Sequence, residues 1–209
     1  MIKHILFDLD STLYSINLGL EDFFFSRVRE YCSSYLGLSW EEIESIWKEA
    51  VKRCGNTLEW LRSEKGFTAI DDYLHYVHPE DEVDCIKPDS ELRAFLESLP
   101  CPCSILTNSP GFHAQRVIKK LGIEGVFEQV IDIEINGFKG KPHASAFYRA
   151  LNPLGLEPKE VLFVDDYPRY VNGYLEIGGP GVLIDENDVH KNWPYEKIRN
   201  IREITRFLA

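Results

Sequence analysis

Two carboxylates and a hydroxyl stand at alternate positions directly after a short apolar run near the start of the chain. The run is Ile5-Leu6-Phe7, and Asp8, Asp10 and Thr12 follow it. Side chains alternate along an extended strand, so Asp8 and Asp10 point the same way where the predicted strand ends. Two carboxylates this close repel each other unless a cation offsets their charge, and Mg²⁺ accepts carboxylates while keeping waters and substrate phosphate as its other ligands. The spacing therefore predicts a Mg²⁺ site, although Asp residues also form turns after strands and that interpretation stays open.

Two further polar pairs follow apolar runs later in the chain. Thr107-Asn108 and Asp165-Asp166 each come directly after four residues that predict a buried strand. In parallel α/β sheets, ligands bind outside the carboxyl ends of the strands. Strand ends that carry hydroxyl and carboxylate groups suit a phosphate and its metal. Seen alone, Thr107-Asn108 would equally serve to cap the helix that is predicted to follow it.

The elements that must position these groups alternate between helix and strand from residue 88 onward. Helices are predicted near 89–98, 111–121 and 143–154, and strands at 103–106, 129–133, 161–164 and 181–184. This alternation is typical of a parallel sheet with crossover helices. The predicted fold class is therefore α/β, with a doubly wound parallel sheet.

A long stretch with helical periodicity separates the first strand from this alternating region. Ser39, with Glu42 three residues later, predicts a helix start, and Gly55-Asn56 predicts where that helix ends. Two shorter helices are predicted near 57–64 and 69–77. The predicted organisation is an α-helical cap, 15–87, inserted into a core that consists of 1–14 and 88–209.

Composition limits the classes of partner and compartment. The chain has 209 residues, of which 44% are apolar, enough for a core domain with an insertion. A formal net charge of -11 argues against a nucleic-acid polymer or an anionic membrane as partner. The five cysteines are odd in number and lack Cys-x-x-Cys spacing, which argues against a disulfide framework or a zinc site. Since no long apolar run is present, the expected location is the cytoplasm.

The chain resembles the haloacid dehalogenase superfamily through four motifs that occur in order. They are Asp8-x-Asp10-x-Thr12, Thr107-Asn108, Lys141-Pro142 at the start of a helix, and Asp165-Asp166. The helical insertion directly after the first motif is similar to that of the subgroup with a small cap. The resemblance implies a Rossmann-like core with an inserted α-helical cap.

The resemblance also implies a role for each motif. Asp8 would attack phosphorus and form an aspartyl-phosphate, and Asp10 would act as general acid and then as general base. Thr107, Asn108 and Lys141 would contact the substrate phosphate. Lys139 is a second candidate for the role given to Lys141, but it does not directly precede the proline as the superfamily's lysine does. The implied ligands of Mg²⁺ are Asp8, Asp10 through its backbone carbonyl, Asp165 and, directly or through a water, Asp166.

Asp10 separates the reactions that the superfamily catalyses. Its dehalogenases lack an acid at this position, because a departing halide needs no proton. We therefore expect a Mg²⁺-dependent phosphomonoester hydrolase that acts on a small phosphorylated metabolite. A phosphosugar mutase remains an alternative, since cap cations are available to bind a second phosphate: Arg27, Arg29, Lys48, Lys52 and Arg53. A non-catalytic phosphoaspartate signalling module is a further alternative.

The substrate is predicted from a resemblance that is less specific than the four motifs of the superfamily. Asp10–Tyr14 and Lys141–Phe147 are similar to the pyrimidine 5′-nucleotidase-like branch, which implies a nucleoside 5′-monophosphate. The candidate substrate contacts are Tyr14, Asn17, Arg53, Asn56 and Thr57. For each of them, an ordinary role as a polar surface residue is an equally good interpretation. Trp60 stands where related sequences often have a small residue, and it would either narrow the pocket or pack between helices. The sequence leaves the oligomeric state open.

Overall fold

A parallel sheet of six strands forms the centre of one of the two units into which the chain folds. The computed structural model describes residues 1–208, and the sheet unit consists of Met1–Leu18 and the chain from Ile86 onward. Its strands are β1 His4–Phe7, β2 Cys103–Leu106, β3 Val130–Ile131, β4 Val161–Asp165, β5 Gly181–Ile184 and β6 Lys197–Ile198. They lie in the order β3-β2-β1-β4-β5-β6. The strand order therefore reverses between β1 and β4, which is where ligands bind in doubly wound sheets.

The second unit, Gly19–Cys85, is helical and lies between β1 and β2 in the sequence. Its helices are α1 Leu20–Leu36, α2 Trp40–Cys54, α3 Thr57–Glu64 and α4 Ile70–Val77. The capping box predicted at the start of α2 is confirmed. The Ser39 hydroxyl accepts the N–H of Glu42, and the Glu42 carboxylate accepts the N–H of Ser39 at 2.8 Å. These two bonds satisfy backbone donors that the first turn of a helix otherwise leaves unpaired.

Four helices belong to the sheet unit: α5 Ser90–Glu97, α6 Gly111–Leu121, α7 Ala144–Leu151 and α8 Pro168–Glu176. The rings of Phe147 in α7 and Tyr174 in α8 lie 5.2 and 5.1 Å from that of Phe163 in β4. The Tyr174 hydroxyl donates to the carbonyl of Val161 at 3.1 Å, so the buried phenol is satisfied. Burial of an aromatic ring such as Phe147 stabilises the fold by roughly 1.5–3 kcal/mol. These contacts hold α7 and α8 against the central strands.

The predicted fold class is confirmed, and two of the predicted elements end earlier than expected. The strand predicted at 129–133 is confined to Val130–Ile131. After it, the N–H of Ile133 donates to the carbonyl of Ser109 at 3.2 Å, and the chain turns away from the sheet. The helix predicted at 143–154 ends as α7 at Leu151, and a 3₁₀ turn follows over Asn152–Leu154.

Three elements after β4 were not predicted from the sequence. They are α8, β6 and a 3₁₀ helix over Ile201–Phe207. A strand of two residues is too short to show an alternating pattern, and it forms because β5 offers a paired edge. Within residues 1–208, no helix has both the length and the apolar character that a membrane crossing requires.

Candidate active site

Polar residues from three neighbouring strands meet at the carboxyl edge of the sheet. Phe7 of β1 is paired with Val164 of β4, and β2 lies on the other side of β1. Asp8 follows β1, and its N–H donates to the carbonyl of Val164 at 2.8 Å. Asp165 is the last residue of β4, and Thr107 follows β2 directly. The order and register of the strands therefore bring together side chains that the sequence only placed at separate strand ends.

Lys141 is fully buried between two of these carboxylates. Its Nζ donates to Oδ1 of Asp8 and to Oδ2 of Asp165, both at 2.6 Å. The rings of Phe163 and Tyr170 have their centroids 5.5 and 5.0 Å from Nζ, within the range of cation–π contacts. Burial alone lowers the pKa of Lys141, but Asp165 and Asp8 outweigh it and raise that pKa above its usual value. The buried ammonium therefore stays charged.

The ligand atoms of Asp8, Asp165 and Asp166 lie within 4.8 Å of one another. Burial raises the pKa of Asp8 and that of Asp165, and neighbouring carboxylates raise that of Asp8 further, while Lys141 opposes the shift in both. Lys141 thus supplies one positive charge to the two carboxylates that it bonds. Carboxylate oxygens are ligands that a hard Mg²⁺ ion prefers, and its charge would stabilise their ionised forms. The donor set therefore fits magnesium.

The carboxylate of Asp10 lies in a different environment. Its Oδ1 accepts from the Tyr14 hydroxyl at 2.7 Å and lies 2.7 Å from Nε2 of His113, and its Oδ2 accepts from the Ser109 hydroxyl at 2.6 Å. Burial opposes ionisation of this group, but His113, Ser109 and Tyr14 together hold the pKa of Asp10 well below its usual range. Asp10 is therefore an ionised carboxylate whose orientation is set by three side chains of the sheet unit.

The sequence analysis missed two of these partners, Ser109 and His113. Ser109 directly follows a predicted motif, and that adjacency was the available signal. His113 lies in the first turns of α6, is fully buried, and is 103 residues away from Asp10. No spacing rule connects positions so far apart, and their contact depends on β2 lying beside β1.

Thr107 and Asn108 do not cap the helix that follows them. The N-cap position of α6 is Pro110. The Thr107 hydroxyl is buried and accepts the N–H of Ser109 at 3.0 Å, which leaves its own O–H available to donate. The Asn108 side chain hydrogen-bonds both the N–H and the carbonyl of Lys141, at 2.8 and 2.9 Å. That Asn108 contacts phosphate stays a prediction.

Lys139, the competing lysine, is exposed, whereas Lys141 reaches the carboxylates. Tyr14, predicted as a substrate contact, donates to Asp10. Asn17 also lies in the sheet unit, where its side chain exchanges hydrogen bonds with that of Asn187.

The other predicted substrate contacts have partners within the helical unit. Arg53 pairs with Glu64. Asn56 caps α3 by accepting the N–H of Glu59 at 2.9 Å, and the Thr57 hydroxyl accepts from Nε1 of Trp47 at 2.9 Å. Trp60 is fully buried, which favours the interpretation that it packs rather than faces substrate. A contact of any of these residues with substrate stays a prediction.

Comparisons with known proteins identify relatives of this chain by sequence and by structure. The family model of haloacid dehalogenase-like hydrolases matches residues 2–169, which include every predicted core site residue. A phosphoglycolate phosphatase of Mannheimia succiniciproducens is 24% identical, with 97% of both chains covered. A glyceraldehyde 3-phosphate phosphatase of Methanocaldococcus jannaschii is 28% identical, over 79% of this chain and 77% of its own. The crystal structure of an L-2-haloacid dehalogenase of Xanthobacter autotrophicus matches with a TM-score of 0.64 at 19% identity, with 100% of both chains covered, and shows a shared fold.

Proposed function

The chain belongs to the haloacid dehalogenase-like hydrolases, and from that premise we propose that it is a Mg²⁺-dependent phosphomonoesterase with an aspartyl-phosphate intermediate. The observation that carries this proposal is the difference between the environments of Asp8 and Asp10. Asp8 lies among carboxylates that suit a cation and touches a buried ammonium, whereas Asp10 is held by neutral and imidazole donors. Carboxylates with such different surroundings are suited to different roles in one reaction.

Asp8 is the nucleophile in this proposal. Its carboxylate attacks phosphorus, an acyl-phosphate bond forms, and the bond between phosphorus and the leaving oxygen breaks. Lys141 and the O–H of Thr107 stabilise the charge on the oxygens of the transferring phosphoryl group. Asp8, Asp165 and Asp166 would hold Mg²⁺. When bound, the ion supplies positive charge that offsets the repulsion between the nucleophile and the phosphate.

Asp10 is the general acid of the first half-reaction and the general base of the second in this proposal. An anionic phosphate close by raises the pKa of a carboxyl group, so the bound substrate favours a protonated Asp10. That proton passes to the departing alkoxide in the first step. In the second step the ionised carboxylate takes a proton from the water that attacks the aspartyl-phosphate. A halide leaving group needs no proton in the first step, so an acid at Asp10 favours phosphate ester chemistry over dehalogenation.

The substrate class is a small phosphorylated metabolite. The two curated relatives described above are named for phosphoglycolate and glyceraldehyde 3-phosphate, which are both small phosphoesters. The resemblance to the pyrimidine 5′-nucleotidase-like branch adds nucleoside 5′-monophosphates to the candidates. We keep the cytoplasm as the proposed location.

The phosphosugar mutase alternative needs cations that can bind a second phosphate. Within the helical unit, Lys48 pairs with Glu44, Lys52 with Glu49 and Arg53 with Glu64. The guanidinium groups of Arg27 and Arg29 lie over the aromatic rings of Tyr76 and Trp40. Because each of these cations already has a partner, the hydrolase is the better supported function.

Phosphate release from a panel of phosphoesters tests the proposal. The panel contains nucleoside 5′-monophosphates, sugar phosphates, phosphoglycolate and glyceraldehyde 3-phosphate, each with Mg²⁺ and with a chelator. We expect turnover that depends on Mg²⁺ and prefers one class of ester. Release of chloride from 2-chloropropionate, with no phosphate release from the panel, would contradict it.

A further inference from the structure

A single side chain hydrogen-bonds both backbone polar groups of Lys141. Nδ2 of Asn108 donates to the Lys141 carbonyl at 2.9 Å, and the Lys141 N–H donates to Oδ1 of Asn108 at 2.8 Å. A backbone N–H can only donate and a carbonyl can only accept, so the two bonds also establish which end of the amide is which. From this geometry we propose that Asn108 is a positioning residue, which acts on the phosphate through Lys141 and is not itself a phosphate ligand.

Lys141 needs such a partner because no regular element holds its backbone. It lies in the segment between β3 and α7, and α7 begins only at Ala144. Its Nζ must nevertheless lie 2.6 Å from both Asp8 and Asp165. Catalytic groups tolerate little displacement, and a shift of about 1 Å can cost roughly 100-fold in rate. The backbone of Lys141 therefore has to be fixed relative to the strand ends.

Asn108 is placed to provide that fixed reference. It lies two residues after β2, and the preceding residue, Thr107, is still hydrogen-bonded to the sheet through the carbonyl of Ile131 at 2.9 Å. The two bonds from Asn108 to Lys141 therefore fix the segment before α7 relative to the end of β2. The amide nitrogen and oxygen of Asn108 each hydrogen-bond the backbone of Lys141, and the Tyr170 side chain hydrogen-bonds the same amide, so protein groups fix its orientation.

Gly140 supplies an independent observation for the same contact. A Cβ built on Gly140 would overlap Oδ1 of Asn108 and would lie 2.7 Å from its Cγ and 2.8 Å from Cδ1 of Ile133. The backbone of Gly140 is outside the left-handed region, so its conformation does not require glycine. Glycine stands here because the Asn108 side chain approaches the backbone closely. The contact between Asn108 and the backbone before α7 thus depends on Asn108 on one side and on the absence of a side chain at Gly140 on the other.

The proposal rests on the proposed function for its catalytic consequence, and its test has one readout that needs no activity. Asn108→Ala and Gly140→Ala are compared with wild type and with Asn152→Ala, a control at an exposed asparagine. Each protein is assayed with p-nitrophenyl phosphate and Mg²⁺. Each is also labelled briefly with formaldehyde and a borohydride, and methylation of every lysine is measured by peptide mass spectrometry.

We expect Asn108→Ala and Gly140→Ala to lower kcat by about 10- to 100-fold, with KM within about threefold of wild type, because displacement of Lys141 affects the transition state most. Lys141, which is fully buried, should be protected in wild type and in the control. It should become methylated in both site variants, while the labelling of the other lysines stays unchanged. Combined with Lys141→Ala, Asn108→Ala should cause no additional loss, because residues that act through one another are not additive.

Three results would overturn the proposal. One is a rise in KM for Asn108→Ala while Gly140→Ala behaves as wild type, which would indicate a direct substrate contact. Another is full protection of Lys141 in both variants. The third is a loss in Asn108→Ala that multiplies with that of Lys141→Ala. If wild type hydrolyses no phosphoester, the proposed function fails, and the labelling still decides whether Asn108 positions Lys141.

Discussion

Nε2 of His113 lies 2.7 Å from Oδ1 of Asp10, although 103 residues separate them in the sequence. The contact exists because α6 follows β2, and β2 lies beside β1. Together with Tyr14 and Ser109, His113 orients a carboxylate that stands two residues from the proposed nucleophile. The site therefore contains two carboxylate environments, one at Asp8 and one at Asp10.

Replacement of the proposed nucleophile should abolish turnover. Asp8→Asn keeps the size of the side chain but removes the negative charge that attacks phosphorus. Phosphate release should fall below detection for every ester that wild type hydrolyses. The melting temperature, followed by circular dichroism, should show that the variant is folded. Turnover that survives in a folded Asp8→Asn protein would contradict the covalent mechanism.

Asp10→Asn should affect esters according to their leaving group. p-Nitrophenolate is stable without a proton, whereas a simple alkoxide needs one as it departs. Single-turnover release of the alcohol should therefore slow by at least about 100-fold for an alkyl phosphate and by much less for p-nitrophenyl phosphate. Equal losses of the first step for both esters would count against Asp10 as the acid.

The orientation of Asp10 should depend measurably on its donors. Tyr14→Phe removes one hydrogen bond at 2.7 Å and keeps the ring. A bond of this kind to a charged group contributes about 1.5–3 kcal/mol, so kcat should fall by roughly 10- to 100-fold if the bond matters in the transition state. Tyr195→Phe, at an exposed tyrosine, is the control. An unchanged kcat in Tyr14→Phe would show that the remaining donors suffice.

Local sequence patterns predict the residues at the strand ends, but they do not predict contacts between residues that are far apart in the sequence. The ends of β1, β2 and β4 carry local signals, an apolar run followed by a polar residue, so the positions of Asp8, Thr107 and Asp165 at strand ends were predicted. The partners of those residues depend on which strands are neighbours. Nothing near position 113 or position 140 indicates a contact with Asp10 or with Asn108, and these became visible only with the strand order and the path of the segment before α7.

The same reasoning applies to the fold. The strands β2, β4 and β5 and the helices α2 to α6 are long enough to show their period, and they were predicted close to their observed bounds, whereas α8 was not predicted. β6 has two residues and forms against an existing edge, so its position is decided by tertiary structure. The shortening of β3 has the same origin, since Ile133 bonds to the segment after β2 instead of continuing the strand.

Asp166 should affect the affinity for Mg²⁺ more than the chemistry. It belongs to the carboxylate group that fits the ion and is only partly buried, whereas Asp165 is buried and accepts from Lys141. Asp166→Asn should raise the Mg²⁺ concentration for half-maximal activity by about 10- to 100-fold, the usual effect of a group that supports a metal site. At saturating Mg²⁺ most of kcat should return. A kcat that stays low at any Mg²⁺ concentration would assign Asp166 a different role.

Asp185 should contribute stability that depends on pH. Burial opposes its ionisation, but Lys197 at 2.9 Å and the N–H groups of Val189 and His190 hold the pKa of Asp185 below its usual value. A carboxyl group whose pKa is lower in the folded state stabilises the fold above the unfolded pKa of about 3.9, and this contribution is lost as pH falls through the folded value.

Urea unfolding of Asp185→Asn measures this contribution. At pH 7 the free energy of unfolding should fall by about 1–3 kcal/mol, because the substitution removes the charge paired with Lys197 and one of the two oxygens that accept the N–H groups of Val189 and His190. At pH 3 the difference from wild type should shrink, since wild type then loses part of the same stabilisation. Glu124→Gln, which removes an exposed carboxylate, is the control and should change stability little at either pH. A deficit of the same size at both pH values would show that Asp185 acts through packing rather than through its charge.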